Sequence, residues 1–73
     1  MTGEVPRMKV SYDTKTDTLS MILKEGATIF ESAEDKPGVI LDYDEGGDLV
    51  SVEILDASRR VTEARKVDFQ IAG

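Results

Sequence analysis

The groups of this chain best able to do chemistry are carboxylates, and they are densest in PGVILDYDEGGDLVSVEILDAS, residues 37–58. Asp42, Asp44, Asp48 and Glu53 stand at relative positions 1, 3, 7 and 12, with Gly47 at position 6. An EF-hand calcium loop puts oxygen ligands and its turn glycine at those places. Position 5, however, is Gly46, which brings no oxygen, and the flanking residues alternate as strands do. An acidic hairpin turn is therefore the preferred reading. A weak divalent-cation site at these four residues is the alternative.

Paired carboxylates perform acid–base chemistry when they are desolvated together. Asp13 and Asp17 flank one turn, and Asp42 and Glu53 fall on an outer sheet face. On so small a domain such groups are expected in solvent. There is no His and no Cys, which removes the usual zinc, haem and iron–sulfur ligand sets and any disulfide. A base–nucleophile pair would need Ser, Lys, Asp, Glu or Tyr alone. The short glycine-containing runs GEV and EGG match neither the P-loop nor the dinucleotide fingerprint. Tyr12 and Tyr43 fall on apolar strand faces and read as packing residues. Arg59, Arg60, Arg65 and Lys66 form the basic cluster. It reads as a solvated helix face, with a partner-docking patch as the functional alternative. No catalytic residue and no cofactor is assigned, and a hydrolase is kept only as a remote alternative.

The elements that must position these groups belong to one small domain. Seventy-three residues bury only about 60% of the surface the unfolded chain exposes, so the core is thin. Domains of this size often add disulfides, metals or oligomerisation, and here oligomerisation is what remains. A net charge of −6 with few aromatics repels phosphate backbones and offers few stacking platforms. It argues against direct nucleic-acid binding and favours a basic protein partner. No apolar run reaches the roughly 20 residues that span a bilayer, so no membrane role is expected. Residues 1–7 lack an apolar signal-peptide core and read as a loose leader, with the domain over residues 8–73. With no cysteines to indicate an oxidising compartment, the cytoplasm is the expected location.

Two hairpins organise that domain. Met8, Val10 and Tyr12 alternate with polar residues, as do Leu19, Met21 and Leu23 after an all-polar turn. Pairing Tyr12 with Leu19, Val10 with Met21 and Met8 with Leu23 puts every large apolar side chain on one face. In the second hairpin Val39, Leu41 and Tyr43 meet Ile54, Val52 and Val50, with Gly46-Gly47 as a two-residue type I′ turn. Between the hairpins, Ala27–Ala33 reads as a short edge strand that tucks Ile29 or Phe30 inward. Glu34–Gly38 then reads as a charged connector ending in a Pro-Gly turn. Asp56 is expected to cap a helix over Ala57–Lys66, with Ala57, Val61 and Ala64 as its apolar stripe. Val67, Phe69 and Ile71 alternate with Asp68 and Gln70, so the tail reads as one last strand. The resulting class is α+β: an antiparallel sheet of about four strands, a short edge strand, and one short C-terminal helix across it.

MKVSYDTKTDTLSMIL followed by PGVILDYDEGGDLVSVEILDASRRV resembles the YuzE-like small bacterial proteins, the domain of unknown function 2283 family. The matching features are an opening strand ending in Tyr-Asp, an Asp-containing turn, then Pro-Gly-Val-Ile, Asp-Tyr-Asp, a glycine turn and Glu-Ile-Leu-Asp-Ala-Ser. The resemblance runs from about Met8 to Val61. The second strand is poorer in aromatics and charge than the family pattern, and the tail has no clear counterpart. The resemblance implies a small α+β fold, a bacterial source and no assigned activity. Some members accompany small toxin-like ribonuclease-fold proteins, which implies an antitoxin-like role.

Twelve apolar side chains of the two hairpins share one face, and at roughly 1.5–3 kcal/mol per large side chain buried that face needs a cover. A helix stripe of two alanines and a valine is small for the purpose. The expectation is therefore a homo-oligomer, a dimer first. Ile22, Ile40, Leu49 and Leu55 on the second face, Arg59 and Arg60 on the helix, and Phe69 and Ile71 in the tail are the interface candidates. The preferred function is a non-enzymatic protein-interaction module that self-associates and binds a basic partner. The alternative is a small cation- or ligand-binding protein that uses the Asp42–Glu53 hairpin.

Overall fold

Alternating apolar and polar residues make a strand only where a neighbour accepts the same register, and the first hairpin, and the second as far as Asp42, do so as the pattern requires. In the computed structural model, which describes residues 7–73, β1 (Lys9–Asp13) pairs antiparallel with β2 (Thr18–Ile22). Tyr12 lies opposite Leu19 and Val10 opposite Met21. β4 (Val39–Tyr43) pairs with β5 (Leu49–Ile54), setting Val39 against Ile54 and Leu41 against Val52. Directly opposed residues share a face. The two hairpins join through β2 and β5, where Leu19 meets Ile54 and Met21 meets Val52. One apolar face thus runs unbroken from β1 to β4.

The sheet has five strands in the order β1-β2-β5-β4-β3, all antiparallel. The edge strand β3 forms at Glu31–Lys36, later than the expected Ala27–Ala33. Its sequence, ESAEDK, is polar on both faces and exposed throughout, so no apolar period marks it. Ile29 and Phe30 are exposed, not tucked inward. Pro37-Gly38, expected to end a connector, is the two-residue turn joining β3 to β4, with Lys36 opposite Val39. Gly38 has φ 86°, the left-handed value that the second central position of a type II turn requires after proline.

The β4–β5 turn is one residue longer than the type I′ expectation. The Gly47 N–H donates to the Asp44 carbonyl at 3.0 Å, and only Gly47 of the glycine pair has a positive φ, 88°. That is the pattern of a three-residue loop closed by a left-handed residue. The register shifts beside it, so Tyr43 pairs with Leu49 and not with Val50.

The C-terminal helix is also shorter than expected. α1 covers only Ala57–Arg60, and Val61 turns to extended backbone at φ −117°. A helix holds mainly through packing of an apolar face, and an alanine-valine stripe supplies too little. α1 makes no extensive contact with any strand, so it does not lie across the sheet. Asp56 does not cap it with its side chain and has left-handed backbone. Among the described residues the tail from Val67 onward forms no strand. Among the described residues the buried apolar ones are few (Val50, Ala57 and Ala64), and no large side chain is fully buried. The molecule is a single sheet with a partial cover. Residues 1–6 of the expected leader lie outside the described residues.

Candidate functional site

The acidic hairpin divides its four candidate ligands among three environments. Asp42 is central to β4, 4% exposed, and directly opposite Ser51 on β5 and Ser32 on β3. The Ser32 hydroxyl donates to one of its carboxylate oxygens at 2.5 Å and the Ser51 hydroxyl to the other at 2.6 Å. Asp44 and Asp48 lie in the turn, both gripped by the Lys24 ammonium, at 2.6 and 3.1 Å. Asp44 also accepts the Asp48 N–H at 2.9 Å, which closes the loop from inside. Glu53 is opposite Ile40 on one side and Ser20 on the other. An ammonium already fills the position a cation would take. Among the described residues no group of three or more Asp and Glu is arranged to hold a metal. The Lys24 bond draws the Asp44 carboxyl below its usual range, helped by the Asp48 N–H. Lys24 is correspondingly raised, by Asp44 first and Asp48 second.

Asp13 and Asp17 do not form an acid–base pair either. Asp13 closes its own turn by accepting the N–H groups of Lys15 and Thr16 at 2.8 and 3.2 Å. Asp17 has φ 55°, a left-handed conformation that Asp tolerates better than most residues, and it reaches across to α1. Its carbonyl accepts the Ala57 N–H at 2.9 Å. Its carboxylate accepts the Ser58 N–H at 3.0 Å and the Ser58 hydroxyl at 2.6 Å. The Tyr12 hydroxyl donates to the same carboxylate at 2.5 Å. Asp17 is thus the cap that Asp56 was expected to be, supplied from a turn 41 residues away.

The bonds of this cluster join the β1–β2 turn to the start of α1. The Ser58 hydroxyl first, and the Tyr12 phenol second, hold the Asp17 carboxyl below its usual range. A carboxylate so stabilised is a weaker proton acceptor than a free one. Tyr12 is raised by donating to Asp17, which makes its phenol a worse acid. Neither Ser58 nor the distant role of Asp17 could be singled out from the sequence, because the bond joins segments with no common local pattern. The one local signal was an Asp in a polar turn, able to take the left-handed conformation.

The basic residues have separate surroundings. The Arg60 guanidinium lies against Gly38 so closely that a Cβ there would come within 2.7 Å of it. Arg65 and Lys66 line a cleft with Tyr12, Ser58 and Glu63. Of the apolar interface candidates, Ile22, Ile40, Leu49 and Leu55 are half-buried within the sheet and its margins. Phe69 and Ile71 lie open to solvent. Most of the apolar sheet face is half-buried, whereas Met8 and Val10 at β1 are exposed, with Val67 and Phe69 of the tail beside them.

A family model described as "Protein of unknown function (DUF2283)" matches residues 9–58. That span holds all five strands and ends on Ser58, the partner of Asp17. An uncharacterized protein of Methanocaldococcus jannaschii is 40% identical over 53 residues, 73% of this chain. The aligned segment covers 44% of that relative's length. No solved structure matches.

Proposed function

The chain belongs to the DUF2283 family of proteins of unknown function, and within that family we propose that it acts as a non-enzymatic protein-interaction module that self-associates through the open apolar face of its sheet. The observation that carries this reading is the absence of a second layer. A stable sheet domain buries its apolar face against another layer, whereas here the described residues offer one helical turn at the sheet's end. The accessible surface is 5858 Å², against roughly 4,500 Å² for a compact monomer of 8.0 kDa.

The chemistry of the polar groups supports the same reading. Asp13, Asp17, Asp42, Asp44 and Asp48 each hold a turn, a strand or the helix start, which leaves none poised as base or nucleophile. The net charge of −6 suits a basic protein partner for the assembled dimer, as an antitoxin-like role would require. Sedimentation equilibrium tests the first step: a dimer is expected at tens of micromolar, and a pure monomer there overturns the reading. Affinity capture from the native host with mass spectrometry tests the second, with a basic protein expected in stoichiometric amount.

A further inference from the structure

The open face is least covered at one corner. Met8 and Val10 of the β1 edge line a groove together with Val67 and Phe69 of the tail. Val67, Phe69 and Ile71 alternate with Asp68 and Gln70 as a strand would, yet they are 64, 77 and 90% exposed. Among the described residues, no backbone hydrogen bond ties residues 67–71 to β1. The tail therefore has the pattern of an element with a partner, lies beside the β1 edge, and covers little of Met8 and Val10.

Resting on the self-association reading above, we propose that this corner is the contact itself: a second copy of the chain packs the same corner here, so that Phe69 and Ile71 of each copy cover Met8 and Val10 of the other. Three observations select this occupant and this place. On the occupant, the chain with its exposed tail included shows on the order of 1,400 Å² more surface than a compact monomer of its mass, and a standard interface removes about 800 Å² per partner. The opposite edge, β3, carries Glu31, Glu34 and Asp35 against a single Lys36. Two copies meeting there would set like charges together, and charged edges of this kind resist pairing. The β1 corner has apolar side chains bordered by charges of both signs, Lys9, Asp13 and Asp68. A two-fold contact needs a self-complementary patch, and an exposed aromatic beside a groove supplies both halves of one.

Sedimentation velocity on the full chain, Phe69→Asp and Phe30→Asp tests the placement. Phe69 and Phe30 are both exposed, so neither substitution threatens the fold, and circular dichroism confirms this. The full chain and Phe30→Asp are expected to sediment as dimers, with Phe69→Asp weakened by about tenfold or more. If Phe69→Asp dimerises as tightly as the full chain, the corner is overturned while self-association stands. If the full chain is monomeric throughout, both readings fall. Because the protein has no cysteine, single variants Val10→Cys and Phe69→Cys can be mixed and oxidised. A mixed disulfide forming ahead of either like pair is expected. Like pairs forming as readily as the mixed one would place the contact elsewhere.

Discussion

Asp42→Ala tests whether the acidic hairpin is scaffold or binding site. Asp42 is 4% exposed and takes two hydroxyl bonds, from Ser32 on the β3 edge and from Ser51 on β5. Hydrogen bonds to a charged group contribute about 1.5–3 kcal/mol each, and a buried hydroxyl left unpaired costs about 1–3 kcal/mol. Ser51 is buried, whereas Ser32 is exposed and recovers water bonds. Removing a buried charge also relieves its desolvation, which offsets part of the loss. The net cost of Asp42→Ala is therefore about 2–4 kcal/mol. That is a large part of the roughly 4–11 kcal/mol typical of a chain of 73 residues. Urea unfolding followed by far-ultraviolet circular dichroism measures it, at one fixed protein concentration because association alters apparent stability. A cycle with Ser51→Ala is expected to give a coupling of about 1 kcal/mol or more. Two results would refute the reasoning: a loss below about 0.5 kcal/mol, or a calcium-dependent rise in melting temperature that Asp42→Ala abolishes.

Two further predictions follow from the turns and the helix start. Asp17 and Asp44 are both held below the usual carboxylate range, so their stabilisation is present above about pH 4 and lost as pH falls through their folded values. The urea midpoint should drop on acidification, and Asp17→Asn should flatten that dependence. An unchanged acid profile in Asp17→Asn would remove the lock between the β1–β2 turn and α1. In the β4–β5 turn, Gly47→Ala should cost about 1–2 kcal/mol because Gly47 has φ 88°. Gly46→Ala should be nearly neutral, since Gly46 lacks a positive φ and its Cβ would meet only Asp44 at 3.5 Å. Equal costs at the two glycines would restore the type I′ turn.

The hairpin registers were legible because their apolar residues repeat every second position, and a one-residue slip would turn a whole set to water. Tyr12 against Leu19 and Leu41 against Val52 follow from that alone. β3 was misplaced because an edge strand with charges on both faces has no period to read. Pro37-Gly38 carries a turn signal in any context, and the sequence did not reveal that a ladder begins before it. The helix is shorter than its pattern because a spacing of i, i+4 and i+7 counts positions, whereas Ala57, Val61 and Ala64 have little area to bury. The tail shows the opposite failure: Val67, Phe69 and Ile71 alternate well, but a strand also needs a neighbour's backbone. The calcium-like spacing of Asp42, Asp44, Asp48 and Glu53 was real as spacing. It lost its meaning once Lys24, twenty residues from Asp44, came to rest between two of them.

Several of the polar residues singled out as site candidates are engaged in the architecture of a thin sheet. With so few buried apolar residues, the molecule fixes its turns and helix start through charged bonds: Asp17 to Ser58, Lys24 to Asp44 and Asp48, Asp42 to Ser32 and Ser51. Asp17, Asp42 and Asp44 each have both carboxylate oxygens taken by the chain's own donors. The apolar face is the converse case. Its residues are set by register and left without an opposing layer, so its unsatisfied demand is for contact. The family match ends at Ser58, where the last of the sheet-locking bonds is made. Ala64, and Val67 and Phe69 beside Met8 and Val10, lie outside it. The matched segment therefore contains every strand found among the described residues, and the tail beside Met8 and Val10 falls after it.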